Sequence, residues 1–132
     1  MLPEAVHTAA LAAEALGCEV GAIANSLVFD ADGSPALILT SGAHRVNTDK
    51  VAERLGAERL GRADADFVRQ HTGHPIGGVS PIDHPAQIPT YLDTWLRRYD
   101  EIWAAAGHPS AVFNTTYAEL LTLTDATEIE VE

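Results

Sequence analysis

Lysine is almost missing from this sequence. Lys50 is the only one, and the eight Lys and Arg residues face 19 carboxylates, for a formal charge of −11. A protein that grips long stretches of phosphate backbone gains affinity by releasing counterions, which takes a basic surface. Extended nucleic-acid binding is therefore excluded, and any RNA contact is expected at a short end, through a few placed groups. Cysteine is as scarce: Cys18 stands alone, so no intrachain disulfide is possible, and a cytoplasmic location is expected. No apolar run approaches the ~20 residues of a membrane span. No membrane partner is expected, and MLPEAVHTAA lacks the basic start of a signal peptide. Also absent are a Gly-x-Ser-x-Gly elbow, a Walker loop and a G-x-G-x-x-G turn. Repeats, low-complexity tracts and linkers are missing too.

What remains is an ordinary globular composition, 46% apolar and 20% charged over 132 residues. It reads as one domain spanning 1–132, able to bury roughly two thirds of its unfolded surface without disulfides or structural metal. Apolar positions at helical spacing predict a first helix over 3–16, with Gly17 past its end. Residues 22–40 read as a hairpin turning at Asp30-Ala31-Asp32-Gly33-Ser34. Asn47 or Thr48 caps a helix that Gly56 stops, and Asp64 caps another that Gly73 stops. Residues 88–92 are expected as an edge strand or strand start because of Pro89. Residues 101–113 read as a second hairpin around Gly107-His108-Pro109. Thr116 and Glu119 form a capping box for a helix ending near Leu123, and 127–131 alternates as a last strand. Strands and helices mix without strict βαβ alternation. The fold class is therefore α+β, a mixed, largely antiparallel sheet surrounded by helices.

The chemistry-bearing residues are few. His71, His74 and His84 lack the spacing of a zinc set, and Gly73 and Pro75 flank His74. No metal or cofactor is expected. His44 and His108 fall in loops that can rim a pocket. Cys18 reads as a packed small hydrophobe. Asp30/Asp32 and Asp64/Asp66 belong to a turn and a cap. Trp95, Tyr99 and Trp103 read as core and sheet-face aromatics. The irregular segment 73–85 stands out: Gly77-Gly78-Val79-Ser80-Pro81 leaves backbone N–H groups uncovered, able to face an oxyanion, phosphate or carbonyl. An ordinary tight turn between a helix and an edge strand would have the same composition.

In order, Ile23-Ala24-Asn25-Ser26-Leu27-Val28-Phe29, Thr72-Gly73 with Gly77-Gly78-Val79-Ser80-Pro81, Ile88-Pro89-Thr90-Tyr91-Leu92-Asp93 and Ala106-Gly107 form a pattern. From about Gly17 onward the chain resembles the YbaK/ProX family, free-standing relatives of the editing domain of bacterial prolyl-tRNA synthetase. The resemblance implies a YbaK-like α+β fold and hydrolysis of the ester joining a mischarged amino acid to the terminal ribose of tRNA. It implies that the Gly-x-x-x-Pro loop holds the substrate's aminoacyl and ribose end by backbone contacts. By that resemblance, Asn25, Gly77 and Gly78 are the catalytic candidates. Ser26, Val79, Ser80, Pro81, Asp93, His44 and His108 are the substrate-binding candidates. Asp93 would either bind the substrate's α-ammonium or brace the loop. Asn25 stands where many members carry a lysine, so a hydrogen-bond donor replaces an ammonium charge. The implied partner is the acceptor end of aminoacylated tRNA, with a synthetase or elongation factor as a helper. Two alternatives stay open: a binding module for tRNA ends, nucleotides or proteins, and a metal hydrolase that chelators would silence.

Overall fold

The computed structural model describes residues 13, 14, 16–73, 88–108 and 111–132. The sheet begins with a hairpin whose turn is two residues long. Strands β1 (Ile23–Ala31) and β2 (Ser34–Ser41) pair antiparallel from Ala24↔Ser41 to Ala31↔Ser34. Asp32 and Gly33 between them both take positive φ, 53° and 92°, the geometry of the tight turn that matches strand twist. Asp30 locks the turn by accepting from the Gly33 N–H. The Asp32 carboxylate accepts from the Glu58 and Arg59 N–H groups. That contact pins a short strand β3 (Leu60–Arg62) against the far end of β1.

The caps act where the local chemistry places them. Helix α1 (Thr48–Leu55) starts at Asn47, whose side chain accepts from Lys50 N–H, and ends at Gly56 with φ 74°. Helix α2 (Ala65–Thr72) starts at Asp64 and ends at Gly73 with φ 73°. Helix α3 (Tyr117–Thr124) starts at Thr116, which accepts from Glu119 N–H. Each such cap stabilises by about 1 kcal/mol. Of the expected first helix, only Ala13, Glu14 and Leu16 lie among the described residues, and they are helical.

Strands β4 (Thr90–Asp93), β5 (Ile102–His108), β6 (Ala111–Thr115) and β7 (Thr127–Ile129) complete a seven-stranded mixed sheet. Its order is β6-β5-β1-β2-β4-β7, with β3 also on β1. The longer pairings, β1–β2 and β5–β6, are antiparallel; β1–β5, β2–β4 and β4–β7 are parallel. The α+β expectation therefore holds. A 3-10 segment, Thr94–Arg98, follows β4 directly.

Strand β2 is central and covered on both faces: Leu37, Ile38 and Leu39 are all 0% exposed. One face packs Ala24, Val28, Leu37, Leu39 and Leu92 against Val68 of α2, Leu120 of α3 and Leu96. The other packs Ile38 against Val51 and Ala52 of α1, with Ile129 and Val131. Burying each large aliphatic side chain contributes about 1.5–3 kcal/mol.

Candidate functional site

Directly paired residues on neighbouring strands share a sheet face. Asn25 opposes Thr40 across the hairpin, and the parallel register Leu39↔Leu92 carries the row on to Asp93. Asn25, Thr40 and Asp93 therefore line up on one face, on the side of the sheet that packs on α1 farther along. Two strand spacings separate Asn25 from Asp93, roughly 10 Å. Asn25 is half-buried, while Thr40 and Asp93 are each 1% exposed. Ser26 points to the opposite face with Leu39, and its Oγ is buried without a partner among the described residues.

Asp93 organises the end of this row. Its Oδ2 accepts from the Ser41 N–H at 3.0 Å and from His44 Nδ1 at 2.9 Å, and its Oδ1 accepts from the Trp95 N–H at 3.0 Å. The buried carboxylate thus ties the exit of β2, the following loop and the start of the 3-10 segment together. Ser41 Oγ donates to the Gly21 carbonyl at 2.7 Å, and Gly42 N–H to the Ile23 carbonyl at 2.8 Å. Those bonds anchor the same loop to the start of β1, two residues from Asn25.

His44 is held on both sides, with Nδ1 on Asp93 and Nε2 3.2 Å from Glu132 Oε1. Making both contacts as hydrogen bonds requires both ring nitrogens to donate. The His44 ring also meets Trp95, with centroids 4.7 Å apart and planes tilted by 53°. The Arg98 guanidinium lies over the Trp95 ring, 3.0 Å from its centroid. A chain of contacts therefore runs outward from buried Asp93 through His44 and Trp95 to exposed Arg98.

The model of the family described as "Aminoacyl-tRNA editing domain" matches residues 3–123. The chain belongs to the aminoacyl-tRNA editing domain family. This family acts on aminoacylated tRNA and is related to the editing domains of synthetases. The chain is 31% identical over 110 residues to "Uncharacterized protein YwhH" of Bacillus subtilis, covering 83% of this chain and 69% of that protein. It is 28% identical over 120 residues to the "Putative Cys-tRNA(Pro)/Cys-tRNA(Cys) deacylase EbsC" of Enterococcus faecalis, covering 90% and 73%. A proline–tRNA ligase of Levilactobacillus brevis matches at 28% identity over 91 residues, which is 69% of this chain and 16% of the ligase. Among solved structures, one described as "a putative trans-editing enzyme for prolyl tRNA synthetase" is 43% identical. It superposes with a TM-score of 0.93 over 99% of this chain and 83% of that one.

Within this editing domain, the structure brings Asn25, His44 and Asp93 to one end of the sheet. Gly77, Gly78, Val79, Ser80 and Pro81 lie outside the described residues. His108 closes β5, where its backbone pairs with Ala111. Among the described residues, no three of His, Cys, Asp and Glu gather as a ligand set; His74 and His84 lie outside them. His71 packs its ring on Phe67. Cys18 is half-buried against Ala13 and Ile23. Burial pushes its thiol upward, with the Glu101 and Glu19 charges adding to the shift and its own backbone hydrogen bond opposing it. Thr40, Ser41, Trp95, Arg98 and Glu132 are the members of this cluster that sequence reasoning left out of the site. Only the position of Trp95 and Arg98 just after Asp93 could have pointed to them.

Proposed function

We propose that this protein is a cytoplasmic trans-editing hydrolase that cleaves the aminoacyl ester of mischarged tRNA. The observation that carries the reading is the 43% identity, over nearly the whole chain, to the structure described as "a putative trans-editing enzyme for prolyl tRNA synthetase". The deacylase name of the Enterococcus relative supports it. An aminoacyl ester is already activated, so modest assistance suffices. Water adds to the ester carbonyl, the tetrahedral oxyanion collapses, and the ribose oxygen leaves with a proton, giving free amino acid and tRNA. Backbone N–H groups of Gly77 and Gly78 would steady the oxyanion, each worth roughly 3 kcal/mol in comparable sites. Val79, Ser80 and Pro81 would hold the aminoacyl and ribose end; Ser26, its Oγ buried on the opposite face of the sheet from Asn25, has no place in that role. The Asn25 carboxamide would donate to the carbonyl or the terminal phosphate. The substrate's own 2′-hydroxyl would orient the water, so the mechanism asks for no strong protein base. His44 and His108 would border the side-chain pocket, and Asp93 would fix the loop carrying His44. A synthetase or elongation factor that already holds the tRNA would offset the acidity of the protein.

The test is a panel of tRNAs, each charged with a labelled wrong amino acid, followed for ester loss against a no-protein control. Rapid loss of one or two species, slowed by Asn25→Ala, is expected. An Asn25→Ala variant with full activity would remove Asn25 from the mechanism. A second reading, a binding module, follows from the resemblance, which sets the neutral amide of Asn25 where many family members carry an ammonium. A silent native protein that gains hydrolysis on Asn25→Lys would support that reading instead.

A further inference from the structure

Arg98 is the cation whose guanidinium touches this cluster, over the Trp95 ring. It is exposed, and none of the ion pairs among the described residues uses it. Its neighbour Arg97, by contrast, lies 4.0 Å from Glu128. Arg45, Arg59, Arg62 and Arg69 are likewise outside those ion pairs, so what distinguishes Arg98 is its place over Trp95. Its guanidinium lies over Trp95, Trp95 contacts His44, and His44 is held by 1%-exposed Asp93. A stacked guanidinium spends its face on the aromatic ring and keeps its in-plane N–H fork free. That fork matches two oxygens of a phosphate. The rotamer entropy such a contact normally costs is already spent in the free protein.

We propose that Arg98, braced on Trp95, is a phosphate-binding position for the RNA 3′ end that enters this site. It would take a backbone phosphodiester just upstream of the terminal ribose. The proposal deepens the reading above and rests on it for the identity of the ligand. It also fits the charge of the chain, since one preorganised contact can act where a basic surface is missing. Arg45, exposed and next to His44 in the chain, is a further cation beside this cluster.

The experiment measures binding of a fluorescent RNA hairpin with a single-stranded ACCA 3′ end to the full chain, from 50 to 200 mM salt. Native protein is compared with Arg98→Gln, Arg98→Lys and Arg62→Gln. Arg62 is exposed and pairs with Phe29 at the other end of β1, so it controls for net charge alone. Arg98→Gln is expected to weaken binding roughly 5- to 10-fold and to lower the slope of log Kd against log salt by about 0.7, the loss of one phosphate contact on a single strand. Arg98→Lys should restore the slope but not the full affinity, because the planar fork is lost. Equal Kd and slope for Arg98→Gln and native protein would overturn the proposal, as would an equal loss in Arg62→Gln. A loss of affinity with an unchanged slope would also overturn it, in favour of base stacking. Ester hydrolysis is read separately. Arg98-dependent hairpin binding without hydrolysis would keep this inference and sink the hydrolase reading; hydrolysis with Arg98 irrelevant to binding would do the reverse.

Discussion

Replacing Asp93 by asparagine tests whether this carboxylate braces the fold or meets substrate. The side chain keeps its volume, but one acceptor oxygen becomes an NH2 donor. Asp93 is 1% exposed and accepts from three donors, two on Oδ2 and one on Oδ1. Whichever way the amide turns, a donor faces a donor. With the amide nitrogen at Oδ1, the Trp95 N–H loses its acceptor; with it at Oδ2, the Ser41 N–H and the His44 contact are lost. A buried donor left unpaired costs about 1–3 kcal/mol, and losing a charge-assisted bond to His44 costs about 1.5–3 kcal/mol. The expected destabilisation is about 2–4 kcal/mol, which for a domain of this size lowers Tm by roughly 10 °C. Urea titration and thermal melting measure it, with m unchanged if only the folded state is affected. Glu132→Gln serves as the comparison: its carboxylate is 56% exposed and touches the same ring, so its loss should cost under about 1 kcal/mol. A change below about 0.5 kcal/mol in Asp93→Asn, together with a large loss of ester hydrolysis, would refute the brace and return Asp93 to the substrate's ammonium group.

Two further outcomes follow from the same neighbourhood. A methyl group added at Gly21 would collide with the Tyr99 hydroxyl and sit 2.8 Å from its Cζ, so Gly21→Ala should destabilise by about 1–3 kcal/mol in urea melts. Trimming the partner in Gly21→Ala/Tyr99→Leu should recover part of that loss beyond additivity. The Cys18 thiol, raised chiefly by burial, should react slowly with a disulfide reagent at pH 8 in the folded protein and at an ordinary rate in urea. Because the folded thiol titrates above the unfolded one, the associated stability is complete below the unfolded value. It is lost as pH rises toward the folded one.

Local chemistry was legible in the sequence, and pairing was not. Asn47, Asp64 and Thr116 cap helices, and Gly56 and Gly73 end them, because each signal acts within four residues. The hairpin was readable for the same reason. Strand β3 was missed because its pairing depends on Asp32 capturing N–H groups at 58 and 59, 26 and 27 positions away. The 3-10 segment Thr94–Arg98 was missed although its Asp93 cap is local, because the same carboxylate is held in place by Ser41 and His44, 52 and 49 positions away. The strand expected over 88–92 begins at Thr90, since Pro89 has no N–H to give; its carbonyl still accepts from Leu37 N–H. The last strand stops at Ile129, and Val131 instead accepts from Asn47 N–H at the α1 cap. Asn25 and Asp93 were named through a family resemblance. Their common row across β1, β2 and β4 depends on parallel register, which no single-strand pattern encodes. His44 gains its place from a partner 49 residues away.

The charge of the chain and its chemistry constrain each other. At −11, long-range attraction to RNA is absent, and repulsion disfavours any pose that lays backbone along the surface. A substrate end must therefore be captured by short-range contacts already in position when it arrives. On the proposed role of Arg98, the contact chain from Asp93 would meet that requirement: a buried anion holds a histidine, the histidine meets an indole and the indole carries a cation. Buried position at one end and exposure at the other keep the cation fixed while its donors stay wet. Such a design predicts a shallow overall salt dependence, near one or two phosphate contacts, where a basic tRNA-binding surface would show many. The same economy would apply to Asn25, a neutral amide at the position that the family resemblance gives to a lysine. An amide acts only within hydrogen-bond reach, so catalysis in this chain would depend more on the placing of the ester than on attraction to it.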